Sequence, residues 1–537
     1  MGIPSYYKKL CDRIPGLLNK VRKGKQPTHL WVDFNCMIYH CIRRPGAKPY
    51  TGEETRIQWE DHLIQDVCKY LKKVVGIVAP TEQVFVGVDG VVPMAKMRQQ
   101  RLRRFKSHWT AAEEVRIGKS NGGPRWDTNA ITPGTAFMER LGVALHGTKT
   151  PGVKWVVSSA DEPGEGEHKA MAALRKATAR ESHVIYGLDA DLILLSLLQE
   201  VEELWLFREA IECGEVQYNA FDEEEYRWFS IHKLRQVLCS GQEDDYLLDY
   251  CMAMSFVGND FLPHGLTLKL KDGGHDVLLS MLKDVRKECG SLIDARSHRW
   301  KRSALLACVE WFAKQEPAWM TQHCTTKYNQ RHSRTRGTTP LEHTIDEWNK
   351  MPLRACEELA IMRPYVEAIE GETPKTKAAL LDNWRDIYHE RWLGASCEQD
   401  LDRICREYCV GLDWVLQYYT GGDIDREWCF HWFVPPLWSD LYTWISQQET
   451  LPCAKQGDTP QIQPQEQLAL VLPLQSWWLI RDKKLRNLPR LAPQLWPSSF
   501  QLFTAGRKQT WECEAYIPLF TPERLRVYLQ SAPDDSS

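Results

Sequence analysis

The sequence predicts an α/β fold for the first half of the chain, a mostly parallel sheet flanked by helices, followed by a mainly helical second half. In the first half, short apolar segments alternate with amphipathic helical patterns, as happens when helices cover both faces of a parallel sheet. Beyond about residue 290 the apolar segments become few, and helical patterns containing Trp replace them. The five predicted strands are Thr28–Asn35, Gln83–Asp89, Lys154–Ser159, His183–Leu188 and Glu203–Arg208.

Amphipathic patterns predict where the helices lie. Residues Glu60–Val75 repeat apolar side chains at helical spacing, and a helix there supplies the crossover that connects two parallel strands. In the second half, the clearest helical patterns cover Val366–Leu393 and Leu401–Tyr419. The basic segment Thr325–Pro340 and the segment Leu451–Gln465, which is rich in Pro and Gln, are predicted loops.

Composition indicates a globular protein of the cell interior. The chain has 537 residues, of which 43% are hydrophobic, enough for a substantial core. No apolar run approaches the roughly 18 residues of a membrane span, and charged residues interrupt the place of a secretory signal. The 17 cysteines contain no CxxC pair, so neither a disulfide scaffold nor the usual zinc spacing is indicated. We expect an intracellular protein without membrane association, with the cytoplasm favoured over the nucleus.

Acidic residues follow the predicted strands directly. Ligands bind at the carboxyl ends of parallel strands, and a carboxylate among apolar neighbours needs a cationic partner or a metal. One such aspartate alone is as readily a helix cap or turn residue, but a DxD after a strand together with an ExE between glycines favours metal. Oxygen ligands select Mg²⁺ or Mn²⁺, and two such ions can promote phosphodiester cleavage. The seven candidate ligands are Asp33, Asp89, Glu165, Glu167, Asp189, Asp191 and Asp260.

A basic helix is predicted just after the second of these acids. Residues Pro93–His108 contain six Lys or Arg and no acid. The spacing of Lys96, Gln100, Arg103 and Arg104 places them on one helix face, which predicts a phosphate pocket beside the acids. The alternative is a solvated basic surface. Because the whole chain carries a net charge of −3, any nucleic-acid site is expected to be local.

The motifs together resemble those of the Xrn-type 5′→3′ exoribonucleases. The resemblance spans nearly the whole chain, with long and specific motifs in the first half and looser ones in the second. The matching segments of the first half are MGIPSYYKKL, VDFN, VDGVVPMAKMRQQRLRRF, NAITPGTAFM, PGEGEHK, YGLDADLILL and FVGNDFLPH. Those of the second half are YCVGLDWVLQYY, HWFVPPLWSDL, EQLALVLP and WECEAYIPLF.

The resemblance implies a PIN or flap-endonuclease-like nuclease fold in which the seven acids hold two Mg²⁺ ions, with Mn²⁺ able to substitute. It implies that Lys96, Gln100, Arg103 and Arg104 bind the 5′-terminal phosphate, in a pocket too small for a cap or triphosphate. The implied activity is hydrolysis of single-stranded RNA with a 5′-monophosphate, releasing nucleoside 5′-monophosphates. We further expect a monomer that works with decapping or RNA-decay factors.

The chain departs from the family's usual pattern in three respects. Tyr39 stands where the family usually has His, so that stacking on a base is retained while a His-specific role is lost. The stretch that in the family usually reads as aromatics around a Pro-Tyr-His-Tyr core is WCFHWFVPP here, so only Trp428 matches cleanly as a second stacking aromatic. The chain is also a short member that carries only the two conserved N-terminal regions. We expect a metal-dependent nuclease region at residues 1–290, a basic polar linker at 291–345, and a mainly helical second conserved region at 346–537, packed on the first.

Two other functions are compatible with the sequence. A structure-specific flap endonuclease on the same fold leaves an open route for the strand, and would therefore cleave a circular single strand. A catalytically inactive RNA-binding scaffold has no chemical reason to retain all seven acids. The complete acidic set therefore favours an active nuclease.

Overall fold

The computed structural model describes residues 6–178, 180–187, 189–212, 215–219, 223–243, 245–333, 356–367, 375–455 and 461–531. Its central feature is a seven-stranded sheet. The first nine strands in chain order are β1 (Leu18–Asn19), β2 (His29–Asp33), β3 (Gln83–Gly87), β4 (Lys154–Ser158), β5 (Ser182–Tyr186), β6 (Glu203–Glu209), β7 (Ile211–Glu212), β8 (Glu215–Val216) and β9 (Tyr226–Ser230). The order in the sheet is β1-β9-β6-β5-β2-β3-β4, while β7 and β8 pair with each other.

The sheet is mostly parallel, as predicted. Parallel pairings join β6, β5, β2, β3 and β4, and β9 runs antiparallel to both β6 and β1. All five predicted strands are present, although each has slightly different ends, and Leu188 lies outside the described residues. Strands β1 and β9 were not predicted. Strand β1 has only two residues, and β9 is antiparallel and lacks the preceding helical crossover that marks a parallel strand.

Helices cover both faces of this sheet. Helix α3 contains the predicted crossover between β2 and β3, and it buries Leu63, Val67, Leu71 and Val74 on the predicted face. The helices of the first half are α1 (Tyr6–Arg13), α2 (Asn35–Arg43), α3 (Arg56–Val78), α4 (Met94–Arg116), α5 (Ala136–His146), α6 (Gly166–Leu174), α7 (Asp191–Leu197), α8 (Ile231–Leu238), α9 (Tyr246–Ala253) and α10 (Gly274–Cys289).

In its described residues the second half is mainly helical, with three small antiparallel ribbons. The ribbons are β10 (Ile293–Asp294) with β11 (Arg299–Trp300), β12 (Met362–Glu367) with β13 (Lys375–Leu380), and β14 (Gln501–Phe503) with β15 (Glu514–Tyr516). The helices are α11 (Arg302–Ser333), α12 (Trp384–Tyr388), α13 (Glu398–Thr420), α14 (Trp438–Gln447), α15 (Pro464–Val471), α16 (Lys483–Arg486), α17 (Leu488–Leu491) and α18 (Pro522–Ser531). A single π-helical turn, His389–Leu393, continues α12.

Two sequence predictions for the second half are wrong in part. The segment Thr325–Pro340 was predicted to be a loop, but its residues up to Ser333 belong to helix α11. Residues 334–340 lie outside the described part. The expected helix over Val366–Leu393 begins as the β12–β13 ribbon and becomes helical only at Trp384; residues 368–374 lie outside the described part. The two segments contact each other, since the backbone N–H of Ala378 donates to Thr325 Oγ1 on α11, and this long-range contact is not visible in the local pattern of either segment.

The expected linker at 291–345 therefore contains regular structure, namely β10, β11 and α11, with residues 334–345 outside the described part. The predicted loop over Leu451–Gln465 has no regular structure in its described residues until α15 begins at Pro464. The division of the chain at residues 290 and 345 remains a prediction. Among the described helices, none combines the length and the apolar character needed to cross a membrane.

Candidate active site

Six of the seven predicted acidic ligands follow four neighbouring parallel strands. Asp33 ends β2, and Asp89 comes two residues after β3. Glu165 and Glu167 stand at the start of α6, which follows β4, while Asp189 lies between β5 and α7 and Asp191 is the first residue of α7. Because β5, β2, β3 and β4 are adjacent in the sheet, these carboxylates meet at one edge. The seventh acid, Asp260, reaches the same place from the turn after α9.

Electrostatic interactions show that the seven acids form one cluster. Burial raises the pKa of Asp33, and the charges of Asp89, Asp189 and Glu165 raise it further. Burial also raises the pKa of Glu167, and the charge of Glu165 raises it further. Each raised pKa means that the ionised carboxylate is unfavourable at that position, because it is removed from water and is repelled by the neighbouring carboxylates. We call these seven residues the acid cluster.

Asp191 extends the acid cluster toward the seventh acid. Burial raises the pKa of Asp191, with Asp260 and Asp189 adding to the effect. Its side chain is 4% exposed, and its Oδ1 has no hydrogen-bond partner among the described residues. The ligand-type atoms of Glu165, Glu167 and His168 all lie within 4.8 Å of one another. A cluster with excess negative charge and an unused buried oxygen fits divalent cations.

Glycine allows the elements that carry the acids to approach closely. A Cβ on Gly166 would lie 2.4 Å from the carbonyl oxygen of Gly87 and 3.0 Å from Asp33 Oδ1. Without that Cβ, the N-terminus of α6 packs against the end of β3, and the backbone N–H of Gly166 donates to Asp89 Oδ1 over 2.7 Å. Asn35 holds the other oxygen of Asp89, donating from Nδ2 over 2.9 Å. Gly166 of the PGEGEHK segment thus allows the close packing that holds Asp89 against the start of α6.

Lys96 is the cation at the centre of the acid cluster. It lies on α4, and its Nζ is 2.6 Å from Glu165 Oε2 and 2.9 Å from Asp260 Oδ2. Burial alone would lower the pKa of Lys96, but Asp260 and Glu165 raise it well above its usual value. Burial would raise the pKa of Asp260, yet Lys96 brings it below the usual range. This pair therefore stays charged over the whole range of physiological pH.

The other three predicted phosphate ligands lie further along α4, which spans the predicted basic helix. Gln100 is buried and its Oε1 has no partner among the described residues. Arg103 is exposed, and its charge also lowers the pKa of Asp260. Arg104 is half-buried, and its Nη1 has no partner among the described residues. Burial lowers the pKa of Arg104 to about 10, so the guanidinium is charged but poorly solvated.

The two predicted stacking residues differ in exposure. Tyr39 on α2 is half-buried, carries the Arg43 guanidinium 5.5 Å from its ring centre, and interacts electrostatically with Arg104. Trp428 is 9% exposed, packs 5.4 Å from the Trp414 ring and donates from Nε1 to Glu407 over 3.0 Å. The placement of Tyr39 suits contact with a ligand beside Arg104, whereas that of Trp428 favours a packing role.

A tyrosine from the second half completes the site and was missed by the sequence analysis. Tyr418 on α13 donates its hydroxyl to Glu165 Oε1 over 2.5 Å, and its ring stacks on His168 with centroids 3.8 Å apart. The ring of Trp414 stacks on Tyr418 in turn, at 4.8 Å. The only available signal was the position of Tyr418 within the YCVGLDWVLQYY motif, since nothing in that segment indicates which acid it contacts.

Comparison with known proteins gives matches over most of the chain. Residues 1–210 match the family model described as "XRN 5'-3' exonuclease N-terminus", and residues 322–534 match the one described as "Xrn1 helical domain". The chain is 27% identical to 5'-3' exoribonuclease 1 of Homo sapiens over 98% of its own length and 34% of the relative's. It is 25% identical to 5'-3' exoribonuclease 1 of Schizosaccharomyces pombe, over 98% of this chain and 48% of that one. The chain therefore spans between a third and a half of the length of these two relatives.

Proposed function

This chain belongs to the Xrn family of 5′-3′ exonucleases, and we propose that it hydrolyses single-stranded RNA from a 5′-monophosphate end, releasing nucleoside 5′-monophosphates. The observation that supports this most strongly is the acid cluster at the carboxyl ends of four adjacent strands, with Lys96 of the basic helix inserted into it. That contact joins the predicted metal ligands to the predicted phosphate ligands. A phosphodiester near the 5′ end would therefore lie beside both.

The proposed cofactor is Mg²⁺, two ions held by the seven residues of the acid cluster, with Mn²⁺ able to replace it. When bound, such ions lower the pKa of a water molecule and stabilise the leaving oxygen of the phosphodiester. The raised pKa values of Asp33, Glu167 and Asp191 support this assignment, because cations would offset both the burial and the mutual repulsion that raise them. Tyr418 and Gly166 hold Glu165 and Asp89 in place by hydrogen bonds.

The 5′-terminal phosphate is proposed to bind Lys96, Gln100, Arg103 and Arg104. The Nη1 donor of Arg104 lacks a partner among the described residues, and a phosphate oxygen would supply one. Lys96, whose ammonium lies within the acid cluster, would contact both the cluster and the phosphate. Tyr39 lies close enough to Arg104 for an electrostatic interaction, and its ring is the proposed support for the first base.

We propose that the chain acts as a monomer inside the cell, where decapping or other RNA-decay factors would supply 5′-monophosphate ends. The cysteines of the described residues are all free thiols, as in proteins of reducing compartments. A flap-type endonuclease remains the second candidate, because the same acids could cleave a strand that passes through the site. An inactive scaffold is disfavoured by the complete acid cluster.

The test uses purified chain, Mg²⁺ and four RNAs of one sequence. Three are linear, 3′-labelled and carry a 5′-monophosphate, a 5′-hydroxyl or a 5′-triphosphate; the fourth is circular. We expect rapid loss of the 5′-monophosphate RNA, slow loss of the other two linear RNAs, and an intact circle. Cleavage of the circle would support the endonuclease, and equal rates on the three linear RNAs would contradict a phosphate-reading exonuclease.

A further inference from the structure

A second concave site lies directly beside the acid cluster. It is a cleft of about 400 Å³ between α4, the segment 257–271 and the segment 507–514. Asp260 of the acid cluster and Arg103 of the predicted phosphate set both lie in its wall. The size is typical of sites that hold one small ligand. Apart from Asp260 and Arg103, the residues that line the cleft have no role in the proposed reaction.

The floor of the cleft is positively charged. Lys269 is 4% exposed and Arg507 is 6% exposed, and both line the cleft. Behind them lies Lys327, whose Nζ is 3.4 Å from a carboxylate oxygen of the fully buried Glu358 and donates to the carbonyl of Arg507 over 2.6 Å. The side chains that line the cleft include six Lys or Arg and three Asp or Glu, so basic groups outnumber acidic ones there. Burial lowers the pKa of Lys269 to about 7, as expected for an ammonium without enough negative charge nearby.

One donor on this floor has no acceptor. The Nε of Arg507 is buried and has no hydrogen-bond partner among the described residues, although the same guanidinium contacts His264 Nε2. Burial and the neighbouring Arg507 lower the pKa of His264 well below its usual value, so this imidazole is neutral and adds no repulsion against an anion. A buried guanidinium with an unused N–H, in a region of excess positive charge, fits an anionic oxygen ligand.

The walls of the cleft are aromatic. Trp511 is 57% exposed and has the Lys271 ammonium 6.0 Å from its ring centre. Trp432 and Phe433 line the cleft as well. Exposed rings beside cations are the arrangement that proteins use to hold a base by stacking while a phosphate is neutralised. The floor and the walls together match the two chemical parts of a nucleotide.

We infer that this cleft binds a nucleoside 5′-monophosphate, with the phosphate toward Arg507 and Lys269 and the base against Trp511. The inference rests on the proposed function in one respect: the nucleotide is the product released at the acid cluster, which shares Asp260 and Arg103 with the cleft. A free cellular nucleotide has the same chemistry and would compete for the same place. Product held there would leave the acid cluster open to the next phosphodiester.

Binding can be measured without turnover, by titrating AMP into the purified full chain in EDTA and recording heat. We expect one AMP to bind, and Trp511→Ala to weaken it about tenfold or more, since stacking on one ring contributes that much. Trp511→Phe, which keeps a ring, should recover most of the affinity. The matched control is Trp478→Ala, which removes another exposed tryptophan, 41% exposed and outside the cleft, and should leave AMP affinity unchanged. Melting temperatures verify that each variant folds.

Two further arms separate the cleft from the predicted phosphate pocket. Adenosine and inorganic phosphate should each bind more weakly than AMP, because each contacts only one part of the cleft. Arg104→Ala removes a predicted ligand of the phosphate pocket that lies outside the cleft, so it should weaken AMP binding in EDTA less than Trp511→Ala does. AMP affinity that is lost in Arg104→Ala but retained in Trp511→Ala would overturn the inference, as would the absence of AMP binding.

The inference and the proposed function fail in different ways. If the chain does not degrade RNA but AMP affinity depends on Trp511, the proposed function is wrong and the nucleotide site stands. If the chain degrades RNA and AMP affinity does not depend on Trp511, the proposed function stands and the nucleotide site is wrong. When both stand, added AMP should slow RNA degradation by the wild type more than by Trp511→Ala, which identifies the product itself as the occupant.

Discussion

The hydroxyl of Tyr418 donates a hydrogen bond to Glu165 over 2.5 Å, joining α13 of the second half to the acid cluster of the first. Burial, and then Glu165, raise the pKa of Tyr418, so the hydroxyl keeps its proton and acts as a permanent donor. Outer groups that orient a metal ligand in this way also influence how tightly the metal binds. The helical second half therefore supplies a hydrogen bond to the acid cluster of the first.

Replacing Tyr418 by Phe should weaken metal binding without disturbing the fold. The ring would remain stacked on His168, but Glu165 would lose its donor. We expect the Mg²⁺ concentration for half-maximal RNA degradation to rise about tenfold. The matched control is Tyr419→Phe, because the neighbouring hydroxyl is buried and has no partner among the described residues. An equal Mg²⁺ requirement in both variants would show that the hydrogen bond has no such role.

Stabilisation by Mg²⁺ should depend on pH. The folded-state pKa values of Asp33, Glu167 and Asp191 are raised above their usual range near 4, so the metal-free fold loses stability as pH rises through those values. The proposed Mg²⁺ would bind the deprotonated cluster and offset this loss. We expect Mg²⁺ to raise the melting temperature more at pH 8 than at pH 6, with NaCl of matched ionic strength as the control. Equal increases at the two pH values would contradict a cation at these acids.

Arg104→Ala should reduce discrimination between 5′-phosphate and 5′-hydroxyl ends. A charge-assisted contact contributes roughly 1.5–3 kcal/mol, so the preference should fall by about tenfold or more. Arg116→Ala is the control on the same helix, since this exposed arginine pairs only with Glu113 among the described residues. Rates on the two RNAs should be measured side by side. A proportional loss on both would mean that Arg104 does not contact the phosphate.

Tyr39→Ala and Trp428→Ala should have different effects. Tyr39 is half-buried beside Arg104, and losing its ring should shorten the run of cleavages per binding event with little change in melting temperature. Trp428 is 9% exposed, so alanine there should cost about 3–5 kcal/mol of folding stability. Run length is read with excess unlabelled trap RNA, beside thermal melts. A shortened run at unchanged stability in Trp428→Ala would instead support its predicted stacking role.

The acidic residues could be predicted from the sequence because two local patterns coincide. An apolar strand that ends in a carboxylate marks the carboxyl edge of a parallel sheet, and Asp33, Asp89, Asp189 and Asp191 all follow this pattern. The structure places their strands next to each other, which brings together residues that are far apart in the chain. Glu165 and Glu167 also come after a strand, and Gly166 between them allows their helix to approach the end of β3 closely.

Features that depend on contacts between distant segments could not be predicted. Helical spacing placed Lys96 on one face with Gln100 and Arg104, but did not reveal that its ammonium lies between Glu165 and Asp260. The β12–β13 ribbon has a locally helical pattern, and its pairing along α11 overrides that preference. The Tyr418 contact spans 253 positions of sequence, and no local signal encodes it.

In the proposed reaction, metal held by the buried carboxylates of the acid cluster promotes the release of one nucleotide at a time from a 5′-monophosphate end. The most direct measurement is product analysis of uniformly labelled 5′-monophosphate RNA with Mg²⁺, comparing the wild type with Asp191→Asn and with Asp423→Asn as an exposed control. We predict nucleoside 5′-monophosphates from the wild type and the control, and a rate about a thousandfold lower in Asp191→Asn. In EDTA, Asp191→Asn should melt no lower than the wild type, because it removes one of several repelling carboxylates. Wild-type rates in Asp191→Asn at saturating Mg²⁺, or oligonucleotides as first products, would contradict the account.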